Sequence, residues 1–150
     1  IVVGDGNDRQ RLQDKALRLG LAAQIDWRGR VSDQQLIEEF LSCSVFVMPS
    51  GFSIDAAGQA TGEGFGIAYL EAAMAGRPSI GALLGGQQDL IIDGETGWLV
   101  SAVDQSLLEL LRRLSTDSLP LEKAGRQAYK RASALFSGEA QRQSLMRLLG

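Results

Sequence analysis

Two glutamates eight positions apart, Glu63 and Glu71, bracket the segment of this chain best suited to chemistry. A Gly64-Phe65-Gly66 turn follows the first, and a helical pattern follows the turn: Ile67, Leu70 and Met74 recur at i, i+3 and i+7, with Ala68, Ala72, Ala73 and Ala75 between them. Gly76 and Pro78 end it. Glu71 falls on the same stripe as Ile67 and Met74, which predicts a carboxylate among core-facing apolar residues. Such a carboxylate is costly to bury unless something hydrogen-bonds it. Glycines at the mouth of a helix let a ligand approach backbone N–H groups, and a helix N-terminus favours anionic groups. The chemistry expected is recognition of a ligand that carries several hydroxyls and at least one phosphate. Read alone, Glu63 also fits an exposed glutamate near a helix start, and Glu71 a plain surface residue.

Other stretches are less informative. Gly85-Gly86 is either a plain turn or a cradle for a phosphate or sugar hydroxyl. Gly4-Asp5-Gly6 holds two glycines of a G-x-G-x-x-G pattern, but Arg9 stands at the third, so a tight strand-to-helix turn is favoured over a dinucleotide site. No G-x-x-x-x-G-K-[ST] run is present, no cluster has metal-ligand spacing, and Asp89, Asp93 and Glu95 read as solvated charges. The chain has no histidine, which excludes a Ser-His triad and a Cys-His zinc site within it. The single cysteine, Cys43, beside an apolar run, reads as a buried structural thiol in a reducing compartment.

The elements that must hold these residues follow from pattern and punctuation. A chain of 150 residues with 45% hydrophobic and 22% charged residues suits one soluble domain with a core. The net charge of −3 gives no general attraction to nucleic acid or anionic membranes, although 12 of the 15 basic residues are arginine and a local basic patch remains open. No apolar run reaches a membrane span. Strands are expected at Ile1–Val3, Ile25–Trp27, Val45–Met48, Ser79–Ala82 and Trp98–Val100, the Val45–Met48 run reading as a central parallel strand. Helices are expected over Arg9–Leu19, with Leu12, Ala16 and Leu19 on one face, over Gln34–Ser42, capped by Ser32-Asp33, and through Gln105–Leu149. Gly51–Gly62 reads as a loop, the most mobile stretch, at the rim of the site. Strands alternating with helices predict an α/β fold, a Rossmann-like parallel sheet with helices on both faces and ligands at the carboxyl ends of the strands. The chain opens on Ile1-Val2-Val3-Gly4, already inside a strand, as an excised piece of a longer protein would.

In order and spacing these segments resemble the C-terminal, nucleotide-sugar-binding domain of GT-B fold glycosyltransferases of family 4, the large retaining group. The resemblance rests on Glu63-Gly64-Phe65-Gly66 with Glu71, on Val2-Val3-Gly4-Asp5-Gly6, Gly29–Asp33, Val45–Ser50, Glu71–Pro78 and Gly94–Val100. It implies metal-independent transfer of a hexose from a UDP- or GDP-sugar to a glycan, lipid or small molecule, with retained configuration and no cofactor. It implies that Glu71 accepts hydrogen bonds from ribose and that Glu63, the catalytic-site candidate, holds the hexose with Gly64–Gly66. The amides of Phe65, Gly66 and Ile67 would face the diphosphate, and Arg30 and Val31 the base. Gly85 and Gly86 are further phosphate or sugar contacts. It further implies that a first strand and an N-terminal acceptor domain are missing ahead of Ile1. The partners implied are the nucleotide sugar and that domain, with no nucleic acid, in the cytoplasm or at the inner face of the membrane through the missing domain. Gly51–Gly62 is longer than the family's usual loop, and Asp89 stands where relatives carry glutamate. The alternatives are a non-catalytic nucleotide-sugar-binding module and a GT-B fold sugar epimerase or phosphorylase.

Overall fold

In the computed structural model, residues 1–50, 53–54, 60–61, 66–101 and 105–138 are described, the two short pairs by their backbone alone. The chain forms two compact units, Ile1–Glu39 and Phe40–Gly150.

In the first unit, β1 (Val2–Val3) pairs in parallel with β2 (Trp27–Gly29), and the Gly4 N–H extends the pairing to Gly29 O at 2.7 Å. Helix α1 (Arg9–Arg18) connects them, because parallel strands need a crossover. Its expected apolar face is only partly realised. Ala16 is buried, whereas Leu12 and Leu19 are exposed. Helix α2 (Asp33–Ser42) starts as expected. Ser32 Oγ accepts the Gln35 N–H at 3.3 Å and Gln35 Oε1 accepts the Ser32 N–H at 2.9 Å, a reciprocal cap that satisfies two orphan donors.

The second unit is built on a parallel sheet of order β3-β6-β7: β3 (Phe46–Met48), β6 (Ser79–Ala82) and β7 (Gly97–Val100). The expectation that Val45–Met48 is the central strand is corrected. Among the described strands, β3 has β6 as its single partner, and β6 is central and buried along its whole length. Its packing is close: a Cβ on Gly81 would lie 3.0 Å from Ile91, 3.1 Å from Gln87 and 3.3 Å from Tyr69. The Gly51–Gly62 segment is not all loop, because β4 (Ser53–Ile54) pairs antiparallel with β5 (Ala60–Thr61); the remaining residues of that expectation lie outside those described.

Helix α3 (Ile67–Met74) precedes β6. Helices α4 (Ser106–Thr116) and α5 (Leu119–Phe136) follow β7. Ile80, Trp98, Val100, Leu110, Leu114 and Ala124 make the core of this unit. Burying residues of this size contributes about 1.5–3 kcal/mol each, which fixes α4 and α5 against the sheet. The turn before β7 closes on itself: Thr96 Oγ1 accepts the Ile92 N–H at 2.8 Å and Asp93 Oδ1 accepts the Leu99 N–H at 2.9 Å. Asp89, Asp93 and Glu95 are exposed, as expected. Cys43 is half-buried, its thiol donating to Phe40 O at 3.4 Å. Among the described residues no helix is long and apolar enough to cross a membrane, and no three His, Cys, Asp or Glu side chains gather as a metal site.

Candidate functional site

The site candidates fall into two sets, one in each unit. In the first unit Gly29 closes β2, and the next two residues are Arg30, exposed, and Val31, half-buried. The Arg30 guanidinium has no carboxylate partner among the described residues. Glu63, Gly64 and Phe65 lie outside the described residues.

In the second unit, α3 is aimed by its first turn. Gly66 caps it at φ 79° and ψ 56°, a left-handed conformation that side-chain-bearing residues rarely take. Three positions on, Tyr69 is 1% exposed and its hydroxyl donates to Met48 O, the last carbonyl of β3. Its ring meets Phe46 edge-on at 5.5 Å, and Phe46 in turn meets Phe40 at 5.4 Å. Edge-on aromatic pairs add about 0.5–1.5 kcal/mol beyond their buried area. The N-terminal turn of α3 is therefore fastened beside the carboxyl end of β3, where ligands of parallel sheets bind.

The stripe of α3 predicted to face the core faces out instead. Ile67 is 66% and Met74 44% exposed, and Glu71 between them is exposed too. Tyr69 and Ala72, on the opposite side, are the buried face. Just past the helix, α5 approaches closely: a Cβ on Gly125 of α5 would lie 2.2 Å from Gly76 O. Glu71 thus shares its stripe with Ile67 and Met74 as expected, but it needs no partner to offset burial. Its carboxylate is exposed and unpaired among the described residues.

Gly85 and Gly86 follow the carboxyl end of β6. Gly85 has φ 134° and ψ −179°, and Gly86 opens a short 3-10 turn, Gly86–Asp89, where the sequence suggested a turn. The turn is held from beneath by a residue that sequence reasoning missed. Gln87 is fully buried, and its Nε2 donates to Ala82 O at 2.7 Å and to Leu84 O at 2.8 Å. Two carbonyl partners fix which end of the amide is nitrogen. Gln87 Oε1 is buried with no hydrogen-bond partner among the described residues, which costs about 1–3 kcal/mol. A Cβ on Gly85 would lie 2.4 Å from that oxygen, so no other residue fits there without displacing Gln87. Gln88 Nε2 donates to Leu83 O, and Arg131 of α5 donates to Asp89 O at 2.9 Å. Tyr69 escaped notice because it reads as one more helical apolar residue. The signal for Gln87 was a double glutamine directly after a double glycine.

Comparison with known proteins settles the family. The model of the family described as "Glycosyl transferases group 1" matches residues 1–131. The chain belongs to that family. Among curated relatives, the D-inositol 3-phosphate glycosyltransferase of Streptomyces avermitilis is 35% identical over 122 residues, covering 81% of this chain and 24% of that protein. The chain therefore spans about a quarter of the length of that relative. Among solved structures, sucrose-phosphate synthase from Thermosynechococcus elongatus superposes with a TM-score of 0.78 at 27% identity, over 98% of this chain and 37% of that one. HepE of Anabaena, solved with UDP-glucose, superposes with a TM-score of 0.77 at 23% identity, over 98% of this chain and 39% of that one, a likeness of fold. The α/β, Rossmann-like architecture of the C-terminal half of group 1 glycosyltransferases is thus the architecture of this chain.

Proposed function

We propose that this chain is the nucleotide-sugar-binding domain of a retaining hexosyltransferase of family 4, whose acceptor site lies on another domain of the whole protein. The observation that carries the reading is the exposed Glu71 carboxylate on α3, unpaired among the described residues, in a chain of the glycosyltransferase family. An exposed carboxylate can accept two ribose hydroxyls, one at each oxygen. Glu63, with the backbone of Gly64, Phe65 and Gly66, holds the hexose; the amides running to Ile67 face the diphosphate. Arg30 and Val31 flank the base, and Gly85 and Gly86 contact phosphate or sugar. The reaction needs stabilisation of a departing diphosphate more than a nucleophile, and no metal enters it. HepE binds UDP-glucose, which supports a nucleotide sugar as the ligand class for a domain of this shape.

The test has two stages. Calorimetry with UDP, GDP and their sugars asks whether the domain binds a nucleotide. Glu71→Ala should weaken nucleotide binding by about 1–3 kcal/mol, the scale of a charge-assisted hydrogen bond. Unchanged affinity in a folded variant removes Glu71 from the ribose. In the whole protein, Glu63→Ala should lower transfer more than it lowers binding of the nucleotide diphosphate. Binding without transfer by the whole wild-type protein would favour a non-catalytic module. The 150 residues alone should bind weakly and transfer nothing.

A further inference from the structure

The parallel ladder between β3 and β6 stops early on one side. Phe46 N–H donates to Pro78 O at 3.0 Å, and the pairing runs through Met48 opposite Gly81. In a parallel ladder, acceptors on one edge recur every second residue. From Pro78 O the series continues to Ile80 O and then Ala82 O, whose strand partner would be the Ser50 N–H. Pro49 intervenes, and the Ser50 N–H turns back to Met48 O at 2.9 Å instead. β6 meanwhile stays with β7, and the Leu83 N–H reaches Val100 O at 2.8 Å. The two strands part at their carboxyl ends, where Ala82 O lacks its β3 donor and Met48 O already accepts the Ser50 N–H.

Two buried side chains take those carbonyls. The Tyr69 hydroxyl donates to Met48 O on the β3 side, and Gln87 Nε2 donates to Ala82 O and Leu84 O on the β6 side. Both side chains pack against the same residue, Gly81, where a Cβ would lie 3.3 Å from the Tyr69 ring and 3.1 Å from Gln87 Cγ. Gln87 stands in for the strand partner that β3 withholds. Gln87 Oε1, unpartnered among the described residues, lies against Gly85, in the turn that forms one lip of the fork.

We propose that Tyr69 and Gln87 are positioning residues of the nucleotide-sugar site: by holding Met48 O and Ala82 O they keep the carboxyl ends of β3 and β6 apart and set the lip at Gly85-Gly86 that receives the sugar end of the ligand. This rests on the reading of the chain as a nucleotide-sugar-binding domain. The two residues act through the backbone and touch no reacting atom. Their effect falls on the sugar end, because the fork lies between the start of α3 and the Gly85 turn, whereas the ribose contact assigned to Glu71 is a helical turn further along α3.

The experiment compares the whole wild-type protein with Gln87→Leu, Tyr69→Phe and a core control, Leu110→Ala. Dissociation constants for UDP, GDP, UDP-glucose and GDP-mannose are measured by calorimetry well below each melting temperature. A purely structural role lowers the melting temperature and leaves the ratio of nucleotide-sugar to nucleotide affinity alone, as Leu110→Ala should. A positioning role moves the ratio. Gln87→Leu is expected to weaken nucleotide-sugar binding about tenfold while nucleotide binding stays within about twofold, and Tyr69→Phe is expected to shift the ratio about threefold. Tyr69→Phe keeps the aromatic packing, so it carries the test if Gln87→Leu does not fold. An unchanged ratio in the folded variants, with wild-type binding intact, overturns the proposal alone. A wild type that binds none of the four probes overturns the underlying reading, and the proposal with it.

Discussion

The two units of this chain are held together by different means. In Phe40–Gly150 the central strand is buried from end to end, and large apolar residues from β6, β7, α4 and α5 meet in one core. In Ile1–Glu39, Val2, Val3, Leu12, Leu17, Leu19 and Ile37 are all exposed, and Ala16 is the only buried hydrophobic side chain. Polar ties take over there. Arg9 donates to Trp27 O at 3.2 Å and lies 3.6 Å from Asp5, Arg28 bridges Asp26 and Glu39, and Arg11 pairs with Asp8. Apolar burial contributes most of the stability of a fold, whereas an exposed ion pair contributes roughly 0–1 kcal/mol. The first unit therefore has little stability of its own, and its exposed apolar residues are surface that a partner element can cover. The second unit can hold a site rigidly by itself.

Matched glycines test this contrast with the largest expected effect. A Cβ on Gly97 would lie 2.2 Å from Ser79 O, and one on Gly125 equally close to Gly76 O, both backbone atoms of packed elements. Gly97→Ala and Gly125→Ala should each cost about 3 kcal/mol or more, because neither backbone can move without breaking the sheet or the α3–α5 contact. In the first unit, a Cβ on Gly6 meets nothing within 4 Å, so Gly6→Ala should stay within about 0.5 kcal/mol of wild type. Urea unfolding measures all three. Equal losses at Gly6 and Gly97 would mean that the first unit is packed as tightly as the second.

Arginines give the intermediate case. Arg77 Nε donates to Phe40 O at 3.2 Å and its Nη2 to Leu41 O, so one side chain ties the last turn of α2 to the residue before Pro78. Arg77→Ala should destabilise by about 1.5–3 kcal/mol, as expected for hydrogen bonds from a charged donor. Arg9→Ala gives up one part-buried bond to Trp27 O and should cost about 1 kcal/mol. A larger loss at Arg9 than at Arg77 would reverse the order that the two units imply.

How much of this was legible in the sequence follows the same division. Strand and helix identities were readable wherever turn chemistry punctuated them, as at Ser32-Asp33 or Gly94–Gly97, because those signals act locally. Orientation was not. The Ile67, Glu71 and Met74 stripe is periodic and apolar, yet it faces out, while Tyr69 on the other face is held by Met48 and Phe46, contacts some twenty residues away that periodicity does not show. Likewise the bulky Val45–Met48 run suggested the centre of the sheet, while the centre is Ser79–Ala82, whose small residues admit Tyr69 and Gln87. The candidate ligands of the site could be picked out by motif. The buried side chains that brace them could not, since a glutamine after two glycines looks like any turn residue until its bond to Ala82 O, at the end of β6, is known.

The smallest effect is expected at Asp8 and Arg11, and its pH dependence is what makes it informative. Arg11 Nε donates to Asp8 Oδ1 at 3.0 Å and its Nη2 to Oδ2 at 2.7 Å. These hydrogen bonds first, and the charge of Arg11 second, hold the Asp8 carboxyl below its ordinary value and raise the Arg11 guanidinium. A carboxyl whose folded value is depressed stabilises the fold fully above its unfolded value and loses that contribution as pH falls through the folded one. Asp8→Asn should therefore lower the melting temperature slightly near neutral pH. The difference should vanish in acid, once Asp8 is protonated in both the folded and unfolded wild type. Both groups are fully solvated, so salt near 1 M, where the screening length is about 3 Å, should shrink it too. A difference that persists at low pH or in high salt would mean that the Asp8 side chain also supports the fold uncharged, for instance at the start of α1. The first unit would then rest on local backbone capping more than on its surface charges.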